Sequence, residues 1–362
     1  MNNKVLMFYI NAINGGGAER VIIQLAHHFS LEGYESILVT SFVDQTFEYE
    51  VPKDVKRISI EQDEINRSRL SRNYHRIVEL RKLIKEYHPL AVISFMAEPN
   101  TRAIIATRGL KTKNIVSVRN DPTREYSGKL GYLVGKILLP MADGCIFQTE
   151  DAKGWFPIKL QKKSAVIMND VKEEFFSIER SNVEDVVIVG RLNKQKNHKL
   201  AISAFSKIAN TYPDIKLRLF GDGNLRNDLL KQIHELGMES RVVVHGSTDD
   251  VVSVLKHARI FVLSSDYEGM PNCLMEALAA GVPCISTDCP CGGPKMLIKN
   301  GYNGLLVPIK DENALSQAIA SLLEDTSYAE KLGKNAKLEA KKYHPELIFS
   351  QWKEYVESII DK

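Results

Sequence analysis

Two glutamates eight residues apart stand in the run Glu268-Gly-Met-Pro-Asn-Cys-Leu-Met-Glu276, which continues through Gly281-Val-Pro283 into the apolar Cys284-Ile-Ser286. Gly269 and Pro271 punctuate the chain, so Glu268 belongs to a loop. Asn272 reads as an N-cap, and Leu274, Leu278 and Ala279 give the period of a short helix. Gly281-Val-Pro283 stops that helix before a strand. Glu268 would then precede a helix N-terminus, and Glu276 would lie about one turn inside, roughly 12 Å further on at ~1.5 Å per residue. Amides at such an end bind phosphate, and carboxylates beside them can accept sugar hydroxyls. A capped helix with two solvated glutamates would leave the same pattern.

Other loops carry compatible chemistry. Gly15, Gly16 and Gly17 precede a helix and let backbone amides approach a bulky anion. Arg20 replaces the third glycine of the dinucleotide fingerprint, and the Lys-Ser/Thr of a P-loop is missing. A tight strand-to-helix turn also explains these glycines. Gly190-Arg191 followed by Lys196 can grip a diphosphate from two sides and stabilise a departing phosphate. Gly221-Asp-Gly223 is either a second close approach or simply a turn. His245-Gly246 could hold a base edge through backbone groups.

The elements that must position these loops alternate through 362 residues, of which 44% are hydrophobic and 26% charged. That length implies two cores of ordinary size. Strands are expected at 4–10, 36–41, 90–95, 114–118, 144–148 and 165–168, with a helix at 18–30. A polar stretch, 172–184, reads as a linker. The pattern restarts with strands at 186–189, 216–220, 242–245 and 260–264, separated by helices. Alternation of this kind gives parallel sheets with ligands at the carboxyl ends of the strands. Two such domains would face a cleft. The five cysteines lack metal-ligand spacing, so structural thiols are expected and neither metal nor cofactor is. No apolar run approaches the ~18–20 residues of a membrane span, and the start lacks a signal-peptide layout, so a cytoplasmic chain is expected.

The net charge of +3 conceals a basic block. Residues 65–139 hold fifteen Lys/Arg and five Asp/Glu, a local +10 that leaves −7 elsewhere. One helix is expected at 67–87, with Arg72, Arg76 and Arg81 beside an apolar face; another at 128–139 alternates apolar residues with Lys129 and Lys136. Both suit either core-facing helices with solvated cations or contact with anionic lipid headgroups.

Taken in order, the glycine loop, the Gly-Arg-Lys loop, Gly-Asp-Gly and the spaced glutamates running into Gly-Val-Pro resemble the retaining GT-B glycosyltransferases of family 4. The resemblance spans nearly the whole chain and is strongest from Ile188 to Pro308. It implies an α/β GT-B fold of two Rossmann-like, doubly wound domains. Residues 1–172 would bind acceptor, 185–343 a nucleotide sugar, and 344–362 would form a helix returning to the first domain. By the same resemblance Glu268 contacts the sugar, Glu276 the ribose, Arg191 and Lys196 the diphosphate, and Gly16 and Gly17 close over it. The backbone of Met270, Pro271 and Asn272 would face the sugar and phosphate. Arg119 falls where many relatives have a histidine, as a further ligand or a salt-bridged structural arginine. Transfer would retain the anomeric configuration, with the leaving phosphate taking the acceptor proton. No Asp-x-Asp occurs, which fits metal independence.

The Gly-Gly-Ala-Glu-Arg opening and Cys291-Gly-Gly-Pro294 look like bacterial surface-polysaccharide and lipid-linked oligosaccharide enzymes, N-acetylgalactosaminyl and galactosyl transferases among them. The expected partners are a UDP-linked donor, a polyprenyl-diphosphate-linked acceptor and the anionic cytoplasmic face of the inner membrane, with no nucleic acid. A nucleotide-sugar 2-epimerase of this fold and a non-catalytic nucleotide-sugar-binding scaffold are the rival readings.

Overall fold

The computed structural model describes residues 4–14, 16–44, 48–61 and 68–362. Gly15 and the start of the basic block, Ile65 to Arg67, therefore lie outside the described residues. The chain divides into two compact units, Met1–Asn169 with Glu346–Lys362, and Asp170–Pro345.

In the first unit, strands β1 (Val5–Ile10), β2 (Glu35–Phe42), β3 (Lys56–Glu61), β4 (Ala91–Phe95), β5 (Lys113–Val118), β6 (Gly144–Phe147) and β7 (Ser164–Val166) form one sheet. Its order is β3-β2-β1-β4-β5-β6-β7, parallel throughout. Every residue of β1 is buried, as expected for a strand covered by helices on both faces. The helix Gly17–Leu31 turns Val21, Ile22, Leu25, Ala26 and Phe29 inward. Helix Pro345–Ile360 joins this unit by burying Ile348, Trp352, Val356 and Ile359 at helical spacing in the same core. The Tyr355 hydroxyl fastens it, donating to the Lys163 carbonyl at 2.6 Å and accepting from the Cys145 amide at 2.8 Å.

In the second unit, β8 (Asp185–Val189), β9 (Leu217–Phe220), β10 (Val242–Gly246), β11 (Ala258–Leu263), β12 (Cys284–Thr287) and β13 (Leu305–Val307) form a parallel sheet ordered β10-β9-β8-β11-β12-β13. Strand order reverses between β1 and β4 in one sheet and between β8 and β11 in the other. The loops at such switch points are where doubly wound sheets bind ligands.

Two expectations need correcting here. Strands β3 and β13 were not legible as strands, one charged at both ends and the other only three residues long. The stretch 172–184 is not a solvated linker. Phe175 and Ile178 are buried in it, and Arg180 donates to the carbonyls of Ala258 at 2.8 Å and Gly281 at 3.1 Å. Among the described residues no helix is long and apolar enough to cross a membrane.

Candidate functional site

The second unit's switch point is built from two loops. One follows β8 and carries Gly190 to Lys196; the other follows β11 and carries Ser264 to Pro271. Hydrogen bonds hold them together: the Asp266 backbone amide donates to the Gln195 carbonyl at 2.9 Å, and the Ser264 hydroxyl to the Lys196 carbonyl at 3.0 Å. Asn197 takes a left-handed conformation at φ 44° and ties its amide to Asp266 at 2.8 Å. These links fix the backbone on which Lys196 and Glu268 stand.

Lys196 Nζ donates to Glu268 Oε1 at 2.6 Å. The same oxygen accepts from the Ser265 hydroxyl at 2.6 Å, and Gln195 Nε2 reaches Oε2 at 3.3 Å. Burial alone would depress the Lys196 ammonium, but the Glu268 carboxylate outweighs it and holds the amine above its usual range. Lys196 is therefore charged at neutral pH. Glu268 and Glu276 are each only 5% exposed, which removes the reading of two solvated glutamates.

The helix Asn272–Ala279 begins directly after this carboxylate. Asn272 is its first residue rather than its N-cap; Pro271 holds the cap position, and no side chain caps the end. An uncapped N-terminus beside a charged lysine is favourable to an anion. Arg191 is exposed on the neighbouring loop. Met270 is buried and Asn272 half-buried beside it.

Three glycines of this unit, Gly221, Gly223 and Gly293, pack directly on neighbouring backbone. A Cβ on Gly221 would lie 2.0 Å from the Gly190 carbonyl oxygen, and one on Gly223 would lie 2.4 Å from that of Leu192. Gly293 is the same case, 1.7 Å from the Gly269 oxygen. Gly221 and Gly223 thus let the loop after β9 close on the loop after β8, while Gly293 seats the Cys291-Gly-Gly-Pro294 turn against the Glu268 loop. At the end of β10 His245 is exposed and stacks on Phe220 with ring centroids 4.6 Å apart; Gly246 follows at φ 91°.

Sequence reasoning missed Ser265 and Gln195, the neutral donors to Glu268, although their places beside Lys196 and just after β11 were available signals. It also missed His198. That imidazole is 2% exposed, neither ring nitrogen has a partner among the described residues, and burial followed by the Lys196 charge pulls its pKa down to about 4.

The first unit distributes its expected residues differently. Gly16 caps the helix after β1, and a Cβ there would meet the Glu19 carboxylate, which folds back over it. Gly17 is the first helical residue and exposed. Arg119 is buried after β5, with its guanidinium on the Asn169 side chain and 4.5 Å from the Phe95 ring centroid. None of Arg72, Arg76 and Arg81, expected as a cationic group on helix Arg69–Tyr87, is fully exposed. Arg76 is buried in an ion pair with Glu61 at 2.6 Å, and Arg81 donates to the carbonyls of Ala106 and Arg108 at 2.7 and 2.8 Å. Arg72 is half-buried; only Lys129 of that group is fully exposed.

Comparison with known proteins gives this geometry a family. Residues 170–339 match the family described as Glycosyl transferases group 1, and residues 15–167 match Glycosyltransferase Family 4. A Campylobacter jejuni protein is 28% identical over 96% of both chains; its name describes an α-1,4-N-acetyl-D-galactosaminyltransferase acting on a GalNAc-GalNAc-diNAcBac-PP-undecaprenol. An Escherichia coli UDP-Gal:α-D-GlcNAc-diphosphoundecaprenol α-1,3-galactosyltransferase is 32% identical over 44% of this chain and 42% of its own. Among solved structures, Anabaena HepE in complex with UDP and glucose superposes with a TM-score of 0.82 at 19% identity, covering 99% of this chain and all of that one. Sucrose-phosphate synthase from Thermosynechococcus elongatus reaches 0.87 at 18% identity, with the same coverage. With both halves matched and the GT-B fold shared, the chain belongs to the family 4 glycosyltransferases.

Proposed function

We propose that this chain is a retaining, metal-independent hexosyltransferase that moves a sugar from a UDP-linked donor to a saccharide carried on a polyprenyl diphosphate, at the cytoplasmic membrane surface, in surface-polysaccharide assembly. The observation that carries the reading is the Lys196–Glu268 pair, set at the switch point against the uncapped start of helix Asn272–Ala279. The names of the undecaprenol-diphosphate relatives support the acceptor class, and the UDP-sugar named for the Escherichia coli relative supports the donor.

In this reading Glu268 has one oxygen saturated by Lys196 and Ser265, so the other, touched by Gln195, faces a sugar hydroxyl. Lys196 keeps two further N–H groups for the diphosphate, joined by Arg191 and the helix amides. Glu276 takes the ribose, and His245-Gly246 the base. As the bond from the anomeric carbon to phosphate breaks, negative charge grows on the phosphate oxygen that Lys196 stabilises. That oxygen takes the acceptor's proton while the acceptor oxygen bonds to the same face of the sugar.

The test is a panel of UDP-sugars offered with a synthetic lipid-diphosphate saccharide in the presence of EDTA, with the product's anomeric configuration read by NMR. The proposal expects transfer from one donor with the α configuration kept. An inverted product, or transfer abolished by EDTA, refutes the mechanism. Conversion of donor to an epimer without acceptor makes the protein an epimerase, and donor binding with neither hydrolysis nor transfer makes it a scaffold.

A further inference from the structure

The switch point of the first sheet holds a buried guanidinium that the transfer chemistry above does not use. Arg102, in helix Ala97–Thr107, is 2% exposed. Its Nη1 donates to Asn11 Oδ1 at 2.6 Å, and its Nε and Nη2 to Asn73 Oδ1 at 2.9 and 2.7 Å. Nη2 also donates to Glu98 Oε2 at 2.7 Å. The Ser41 hydroxyl accepts from Nη1 at 3.3 Å and gives its own proton to Asn11 Oδ1 at 3.1 Å. Asn11 follows β1 and Glu98 follows β4, the two strands between which the order reverses; Asn73 reaches in from helix Arg69–Tyr87. Met96, two residues before Glu98, is held at φ 77°, a costly conformation for a side chain of its size.

A guanidinium donates at every nitrogen and accepts nowhere. It therefore fixes how each amide beside it is turned. The side-chain oxygens of Asn11 and Asn73 face Arg102, so their NH2 groups face away, and among the described residues neither NH2 group has a partner. Both asparagines are half-buried. The Glu98 side chain is 45% exposed, against 3% for that of Arg102. Two outward amide donors and one outward carboxylate are thus set at the strand ends by a charge that solvent does not reach. Glu98 and Arg102 stand four apart on one helix, and a pair at that spacing braces a helix without asparagines from two other elements.

We propose that Asn11, Asn73 and Glu98 read the acceptor saccharide, Glu98 accepting from a sugar hydroxyl while the two amides donate to that hydroxyl or its neighbour. Arg102 is the positioning residue that holds all three. This inference rests on the glycosyltransferase reading above and names the residues that recognise its acceptor. A sugar hydroxyl both donates and accepts, so a carboxylate beside amide donors matches it. The diphosphate of the acceptor is a poorer occupant, because Glu98 already neutralises Arg102 and its carboxylate repels phosphate. The site therefore reads the sugar end of the acceptor and contributes to specificity, while the leaving group stays with Lys196.

The partition of the donor sugar between acceptor and water tests this with the full chain. The probes are farnesyl-diphosphate-linked saccharides ending in N-acetylgalactosamine, N-acetylglucosamine or galactose, with transfer and hydrolysis of the UDP-sugar measured in one reaction. Glu98→Gln keeps the shape and removes the charge. Asn73→Asp keeps the oxygen that Arg102 holds and removes only the outward NH2 group. Each should lower the ratio of transfer to hydrolysis about ten-fold, through a higher acceptor KM, as for one lost hydrogen bond to a buried polar partner. Arg102→Lys, which cannot hold three side chains at once, should lower it at least as far. Deleting acceptor hydroxyls singly should find one whose loss costs the wild type about ten-fold and Glu98→Gln almost nothing. A bracing role predicts instead a lower thermal midpoint with an unchanged ratio, and that result overturns the proposal. So does an equal fall of transfer and hydrolysis in Glu98→Gln and Asn73→Asp. A wild-type chain that turns over no UDP-sugar removes the transferase reading itself, and this site with it.

Discussion

Two of the ion pairs, Lys196–Glu268 and Arg76–Glu61, have the same length of 2.6 Å and are largely buried. They differ in what surrounds them. Arg76 reaches from the middle of a helix to the last residue of an edge strand, and both its Nε and Nη2 bond one Glu61 oxygen. Its side chain is 4% exposed and that of Glu61 is fully covered. This pair closes a joint between helix and sheet. Lys196 and Glu268 stand on adjacent loops at a switch point, Glu268 also accepts from Ser265 and Gln195, and the pair adjoins an uncapped helix end. Burial and pairing alone therefore do not mark a functional charge. Position relative to strand ends and helix ends is what makes Lys196–Glu268 the candidate of the two.

Arg76→Ala should have the largest effect, removing about 3–5 kcal/mol of stability because Glu61 is left buried and unpaired. Urea denaturation would show this, while donor hydrolysis per folded molecule stays within about two-fold. Lys196→Ala should do the reverse. Loss of one charge-stabilising group lowers kcat/KM by about 10²–10³, whereas the cost in stability is only about 1–2 kcal/mol, since Ser265 and Gln195 still donate to Glu268. Steady-state donor hydrolysis and urea denaturation on the same preparation separate the two.

Gly221→Ala sharpens the view that these glycines serve loop closure. Its Cβ would collide with the Gly190 carbonyl, so the loop carrying Arg191 must shift. We expect kcat/KM to fall about ten-fold through misplacement. A change confined to stability would separate that loop from the donor.

The smallest effect concerns His198. Its folded pKa of about 4 lies below the ordinary 6.5, so between those values the unfolded chain binds a proton that the folded chain does not. This group therefore lowers stability as pH falls from about 6.5 to about 4. His198→Leu should flatten the stability–pH slope in that window relative to wild type, as measured by urea midpoints across the range. Parallel slopes would contradict the neutral, buried assignment.

How much of this was legible in the sequence follows the same physics. Long apolar runs such as Val5–Ile10 announce buried parallel strands, and the helix at Pro345–Ile360 was readable from its period. Strand β3, Lys-Arg-Ile-Ser-Ile-Glu, was hidden because an edge strand keeps its charges. The Lys196 and Glu268 positions were legible from loop order, but their contact joins residues 72 apart and depends on the fold. The engagement of Arg76 and Arg81 within the first unit was not legible for a related reason. Composition counts charges, whereas only tertiary structure says which of them are neutralised by a carboxylate or spent on helix-end carbonyls. The glycines of the Gly-Asp-Gly turn were read as a close approach to a ligand or as a turn; they approach the Gly190 and Leu192 carbonyls.

The most direct measurement is a UDP titration followed by thermal stabilisation on wild type, Lys196→Ala and Arg76→Ala, each at its own folded temperature. Lys196→Ala should raise the Kd for UDP at least about ten-fold while Arg76→Ala, although less stable, leaves it unchanged. Wild-type UDP affinity in Lys196→Ala would contradict the assignment of this pair to the donor.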